Sequence, residues 1–434
     1  MSVHFTRESE VDSLRDRISR GHGMSAMGRI RETVGTQTAL KCFQTHGASL
    51  RAVILTGSLA RDEATVVEEK NKWRLLGDAE FLLIFHDGAS VPHESALTLL
   101  RHDIEASISE LGITGEICLS AAHLKYLRNL RPNIFDYELR NCGQVVGGDP
   151  AILAHIPNFT SAEIPLEDGW RLLSNRMVEQ FDALDGLEQK PKKLSTRLLY
   201  RTIKLYLDMA TSFLLFAGEY APSYSLREKR LLTIKETRPG NDDFPFDLRS
   251  FCDRVIECMQ LKLSQEWINA SANPAAATEL GFSWWEEAIR YAQLLWRWEL
   301  ALLTRASVRN NNQELLERWM KCQPVFRRLR GWTHVVREQG WNGTLENWRH
   351  WIRIGWCASP RDRVYQAASE VLFELPFLSK NNYGTSRTDA DWEKVRSFLP
   401  VTPKLEARHN SPHWRGLAMD ITSNYQRFLT NTRS

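Results

Sequence analysis

The chain has no Cys-x-x-Cys pair anywhere in its 434 residues. Its seven cysteines, Cys42, Cys118, Cys142, Cys252, Cys258, Cys322 and Cys357, are odd in number and widely scattered, which argues against a disulfide framework and against structural zinc. Apolar runs long enough to span a bilayer are lacking, and the opening Met-Ser-Val-His-Phe-Thr-Arg-Glu has no apolar core of a secretory signal. The expectation is a protein of the reducing cytoplasm with no membrane partner. Charge of one sign is also scarce. A formal net charge of +3 implies no general polyanion-binding surface, so nucleic acid is admitted as a partner but not indicated by charge. The clusters Lys190-Pro-Lys192-Lys193 and Arg327-Arg328-Leu-Arg330 meet either water or phosphate groups. Internal repeats of fixed period and low-complexity tracts are absent as well.

What is present is an ordinary globular composition, 43% apolar and 25% charged, on a chain long enough for two or three domains. Helical spacing over residues 8 to 46, broken by Gly21-His-Gly23, predicts two helices. Strands are expected at Arg51 to Thr56, Lys72 to Leu76, Ala79 to His86, Ile113 to Ser120 and Val145-Val146. Helices are expected at Pro92 to Leu111, with Leu97, Leu100, Ile104 and Ile108 on one stripe, around Ala122 to Leu130, and at Ile134 to Cys142. This alternation indicates an α/β (α+β) domain with a mixed sheet ending near Pro157. From Leu166 onward the pattern is almost wholly helical: Leu166 to Leu187, Lys193 to Ala217, Leu226 to Thr237, Phe246 to Ile268, Ser283 to Val308, Gln313 to Gln339, Leu345 to Cys357, Pro360 to Phe373, Asp389 to Phe398 and His413 to Phe428. Fourteen of the fifteen tryptophans lie after Pro150, and at helical spacing they read as core.

One stretch carries chemistry. The apolar run Val53-Ile-Leu-Thr56 ends in Gly57-Ser58, followed by Leu-Ala-Arg61-Asp-Glu63, and a second apolar run opens with Gly77-Asp78-Ala-Glu80. Residues i and i+2 of a strand share a face, so Asp78 and Glu80 stand side by side while Phe81, Leu83 and Phe85 take the other face. Leu82 and Ile84 continue the acidic face as apolar residues, which confines the carboxylates to the strand end that meets solvent. Mg²⁺ takes one or two carboxylates together with substrate phosphates. On the later strand Glu116, Cys118 and Ser120 share a face. Arg61 either reaches a phosphate or pairs with Asp62 or Glu63.

Gly57-Ser58 with Asp78-Ala-Glu80 between apolar residues resembles the signature of the DNA polymerase β-like nucleotidyltransferase superfamily. The segment Arg131-Pro-Asn-Ile-Phe-Asp-Tyr-Glu138-Leu-Arg140, with Gly147-Gly-Asp149-Pro after it, looks like the close of that domain in bacterial members with helical C-terminal extensions. The resemblance covers about residues 45 to 155. It implies N-terminal helices (1–46) packed on a nucleotidyltransferase domain (47–157), a helical domain (158–310) flanking the active-site cleft, and a C-terminal helical region (311–434). It also implies that Gly57 and Ser58 cradle the phosphates of ATP or another nucleoside triphosphate, and that Asp78 and Glu80 hold two Mg²⁺ ions. Glu116 is the best match to the family's third carboxylate, a metal ligand and proton acceptor for an attacking hydroxyl.

Two features depart from the family pattern. The spacer between Ser58 and Asp78 is long, and its Val66-to-Trp73 content suggests a β-excursion or lid; the second and third acids are both Glu. In the helical half, Tyr200, Lys204 and Asp208 fall at i, i+4, i+8. Lys204 either touches a nucleotide phosphate or forms an ordinary surface pair with Asp208. Tyr220 to Arg230 is a candidate for the opposite wall of a cleft. His409 and His413 have metal-like spacing but are separated by helix-breaking Pro412, and the Arg-φ-x-x-x-His signature of HEPN ribonucleases is not evident. The expectation is a Mg²⁺-dependent transferase moving a nucleoside monophosphate, first of all AMP from ATP, to a hydroxyl of a small molecule, a protein or an RNA end. The alternative is a catalytically weak module of the same fold that binds a nucleotide or a partner.

Overall fold

The computed structural model describes residues 25–69, 72–184, 195–238, 244–264, 281–376, 388–401 and 413–430. Two compact units result. The first runs to Pro165 and takes in Ala221–Arg227 and a stretch from Gln260; the second holds the rest. The helix expected ahead of Gly21, the breaks at Lys190-Pro191 and Pro239-Gly240, the end of the helix expected to reach Ile268, and the spacing from His409 to His413 lie outside the described residues.

The first unit begins with helix α1 (Ala26–His46), opened by the Ser25 side chain accepting from the Gly28 amide at 3.1 Å. Strand β1 (Leu50–Thr56) leads into the single turn α2 (Gly57–Ala60), then β2 (Val66–Glu69), β3 (Lys72–Phe85), α3 (Glu94–Glu110), β4 (Ile113–His123), α4 (Leu124–Arg128), α5 (Ile134–Cys142) and β5 (Gln144–Gly148). The sheet is mixed, as its alternating pattern predicts. The first half of β3 pairs antiparallel with β2 and its second half antiparallel with β1, while β4 lies parallel on its other edge and β5 joins β1 antiparallel. The expected β-excursion before Trp73 is β2, which folds back on β3 with Val66 opposite Leu75.

The two strands expected at Lys72 and Ala79 are one fourteen-residue strand. Its backbone passes through Gly77-Asp78 without leaving the sheet, and the change appears instead as a slip in register with β4 between Arg74 and Asp78. Both faces of this strand are buried past Glu80. Phe81, Leu83 and Phe85 join Val53, Leu55, the α1 residues Ile30 and Val34, and the α3 stripe Leu100, Ile104 and Ile108 in one core. Leu82 and Ile84 join Ala52, Ile54, Leu124, Leu127 and Leu139 in a second. Each such side chain contributes roughly 1.5–3 kcal/mol by leaving water. α1 lies close on β5, since a Cβ at Gly147 would stand 2.9 Å from that of Ala39.

The second unit is helical: α6 (Leu166–Glu179), α7 (Thr196–Phe216), most of α8 (Tyr224–Thr237) and α9 (Leu248–Ser264), α10 (Phe282–Thr304), α11 (Asn312–Cys322), α12 (Val325–Gly355), α13 (Pro360–Leu372), α14 (Asp389–Arg396) and α15 (His413–Thr430). Residues on both sides of position 310 belong to it. Trp170 is fully buried among Trp296, Trp319 and Tyr365, with ring centroids 4.9–5.9 Å apart, so these tryptophans are core. The single helix expected from Gln313 to Gln339 is broken at Gln323, which is extended (φ −70°, ψ 136°) because Pro324 follows it. The helix expected from Leu345 is the second arm of α12, set off from the first by the non-helical Gly340 (φ 64°, ψ −172°).

Candidate functional site

The Gly-Ser turn and the acids come together through the pairing of β1 with β3. Thr56 stands opposite Glu80, so the chain leaves β1 beside that carboxylate. Gly57 has φ +72°, and a Cβ built on it would lie 2.6 Å from Glu80 Oε2. A side chain at position 57 and the Glu80 carboxylate in its present place exclude one another. The next turn is closed by the Glu63 amide, which donates to the Ser58 carbonyl at 2.8 Å.

On the other edge of β3, Asp78 is opposite Glu116 and Glu80 is opposite Cys118. The Cys118 thiol donates to Asp78 Oδ2 at 3.4 Å. Burial first, then the charges of Asp78, Glu116 and Glu80, push this thiol up to about 12. All three acids singled out from the sequence therefore act on one point of the sheet surface. Asp78 and Glu80 are half-buried, and Glu116 is exposed. Just past them the same face closes over with Leu82 and Ile84.

Arg61 is nearly buried and pairs with Glu63 at 2.7 Å and Glu138 at 2.8 Å. Of the roles open to it in the sequence, the structure shows pairing, with Glu63; Asp62 goes to Arg31 instead. Burial opposes the charge of Arg61, and the carboxylates of Glu138 and Glu63 outweigh it. The same cluster holds Tyr224 and Arg227, which belong to the first unit. The Tyr224 amide donates to Glu63 Oε1 at 2.6 Å, Arg227 pairs with Glu138 and donates to the Ala221 carbonyl at 2.7 Å, and both guanidiniums lie within 6 Å of the Tyr224 ring centroid, at 5.8 and 5.3 Å. The result is a buried set of two arginines and two glutamates that fixes the exit of the Gly57-Ser58 turn.

Lys204 lies in the second unit, its ammonium 5.3 Å from the Tyr200 ring centroid. Asp208 is buried and accepts from Arg176 Nε at 2.5 Å, so its carboxylate serves α6 rather than a surface pair with Lys204. Sequence reasoning placed Cys118 on the acidic face without giving it a part, and it did not foresee the pairing of Glu138 with Arg61 and Arg227.

Among the described residues, no group of three or more His, Cys, Asp or Glu side chains is set to hold a metal ion by itself. The donor chemistry at the mouth of β3 is that of hard oxygen ligands on one open face, which suits an ion that keeps water and phosphate ligands. In comparisons with protein-family models and with curated protein sequences, nothing matches the chain.

Proposed function

We propose that this protein is a Mg²⁺-dependent nucleotidyltransferase of the DNA polymerase β-like type, transferring a nucleoside monophosphate, AMP from ATP first of all, to a hydroxyl acceptor. The observation that carries the reading is the Glu80 carboxylate filling the place where a side chain at position 57 would stand, at a strand end where Asp78 is paired with Glu116. A backbone without a side chain beside converging acids is what a triphosphate needs: room for its oxygens and nearby charge to hold its cation.

Asp78 and Glu80, with Glu116 across the strand pair, hold the ions in this reading. Bound there, Mg²⁺ neutralises the triphosphate and the leaving pyrophosphate. Gly57 and Ser58 position the phosphates. Glu116, the exposed acid, takes the proton of the acceptor hydroxyl as its oxygen bonds to the α-phosphorus and the bond to the bridging oxygen breaks. The Arg61 cluster takes no part in that step and keeps the turn in place.

The test is incubation with each α-labelled nucleoside triphosphate, Mg²⁺ and a cell extract, comparing the wild-type chain with Asp78→Asn. Label should pass to an acceptor only with the wild type and only with Mg²⁺. Transfer that survives Asp78→Asn refutes the metal assignment. Nucleotide binding with no labelled acceptor favours the binding-module alternative.

A further inference from the structure

Among the described residues, helix α12 leaves an apolar face uncovered. Gly340, at φ +64°, divides it into two arms that fold back on one another. Trp332 of the first arm lies 6.2 Å from Trp351 of the second by ring centroids, and Arg328 Nη1 donates to the Trp356 carbonyl at 2.8 Å. Trp332, Val335, Trp351 and Ile354 are buried. The side chains turned the other way are not polar. Val325, Phe326, Leu329 and Val336 on the first arm, and Trp348, Ile352 and Trp356 on the second, are all exposed, Phe326 by 77%, Ile352 by 62% and Trp356 by 80%.

Their spacing of three, four and seven places each set on one stripe, displaced to the same side of the buried line of its arm. Because the arms run antiparallel, the two stripes adjoin and make one continuous apolar face. Arginines flank it: Arg327, Arg330 and Arg337 along the outer edge of the first arm, Arg349 and Arg353 along that of the second. Arg327 is partly engaged by Glu167 at 2.5 Å, and Arg349 lies 5.4 Å from the Trp348 ring centroid. From Val325 to Trp356 there are no lysines, and the acids are Glu338 and Glu346.

We infer that this face docks an acidic amphipathic helix of another protein, its apolar stripe laid between the two arms and its carboxylates meeting the arginine edges. An exposed apolar face of this extent, rimmed by charge, marks an interaction site. The charge decides the occupant. A second copy of the chain docked symmetrically would set the same arginines against one another, which like-charge repulsion opposes. Single-stranded nucleic acid uses aromatic platforms, whereas most of this face is aliphatic or has its ring already covered by Arg349. Arginine to the exclusion of lysine, with tryptophan and phenylalanine, is the composition of protein interfaces, and the guanidinium fork matches carboxylates two oxygens at a time.

The test uses the full chain and a fluorescein-labelled helical peptide with a leucine stripe flanked by glutamates. Comparison probes are the same peptide with lysine flanks, phosphatidylglycerol vesicles and a single-stranded oligonucleotide. The acidic peptide should bind with salt-dependent affinity, and the lysine version about tenfold or more weaker. Trp356→Ala and Ile352→Asp should each weaken binding about tenfold with an unchanged circular dichroism spectrum, because these side chains project into water. Arg330→Glu with Arg349→Glu should reverse the preference between peptides. Equal binding of both peptides, failure of the acidic peptide to bind, or binding confined to vesicles or to the oligonucleotide overturns the inference.

Discussion

Replacing Gly57 by Ala tests the geometry of the turn directly. The substitution has two separable effects. Holding an L-residue at φ +72° costs about 1–2 kcal/mol. The new Cβ would also stand 2.6 Å from Glu80 Oε2, and since that oxygen ends a flexible side chain, the carboxylate moves rather than the backbone. Stability should therefore fall only by the backbone part, lowering the apparent melting midpoint by about 2–8 °C in calorimetry. Nucleotidyl transfer should fall far more, because the displaced acid is a proposed metal ligand. A double-mutant cycle checks this: if the carboxylate yields freely, Gly57→Ala should cost the same stability in a Glu80→Ala background, and the coupling should be near zero. An unchanged midpoint would refute the backbone strain at Gly57, and transfer activity that survives Gly57→Ala would refute the placement of Glu80 against the turn.

Three further outcomes follow from the same structure. Arg227→Met leaves Glu138 and its neighbours with an uncompensated buried charge, and urea unfolding should show a loss of about 3–5 kcal/mol, against less than about 1 kcal/mol for Lys41→Met at the exposed pair with Asp103. Glu299 is wholly buried, and burial raises its carboxyl well above the ordinary range, so the folded chain keeps a proton that the unfolded chain releases. Stability should then fall as pH rises above the unfolded carboxylate range, by up to about 1.4 kcal/mol per pH unit, and Glu299→Gln should abolish that slope; equal slopes in the two proteins contradict the assignment. The Cys118 thiol, raised to about 12, should react with iodoacetamide far more slowly at mildly alkaline pH than an ordinary cysteine, and Asp78→Asn, which removes its acceptor and a nearby charge, should speed the reaction. Mass spectrometry of the Cys118 peptide reads the difference.

The strands and the acids were legible because their signals are local. Period-two alternation placed Asp78 and Glu80 on one face, and the apolar residues beyond them marked where that face closes. The stripe Leu97, Leu100, Ile104, Ile108 likewise fixed which side of α3 is buried, as the structure bears out. Two other features separate local signal from tertiary context. Pro324 ends a helix that periodicity alone carries on to Gln339, and the two strands expected on either side of Gly77-Asp78 are joined into one by sheet pairing.

The buried charges beside the turn could not be found that way. Arg61 meets Glu138 across 77 positions, and Glu138 meets Arg227 across 89. Nothing in the spacing of a charged residue distinguishes a solvated side chain from one whose partner arrives with a later segment, so Arg61 read equally well as a phosphate contact. Its position after Gly57-Ser58 is explained only when Ala221–Arg227 is seen to return to the first unit. The Gly57-Ser58 turn has little support of its own, since four-residue α2 has too few backbone bonds to hold itself. Glu63, tied by its amide to Ser58 and by its carboxylate to Arg61 and the Tyr224 amide, supplies that rigidity from outside the turn. Arg61, which the sequence left open between a phosphate contact and an ion pair, serves the turn through its pairs with Glu63 and Glu138.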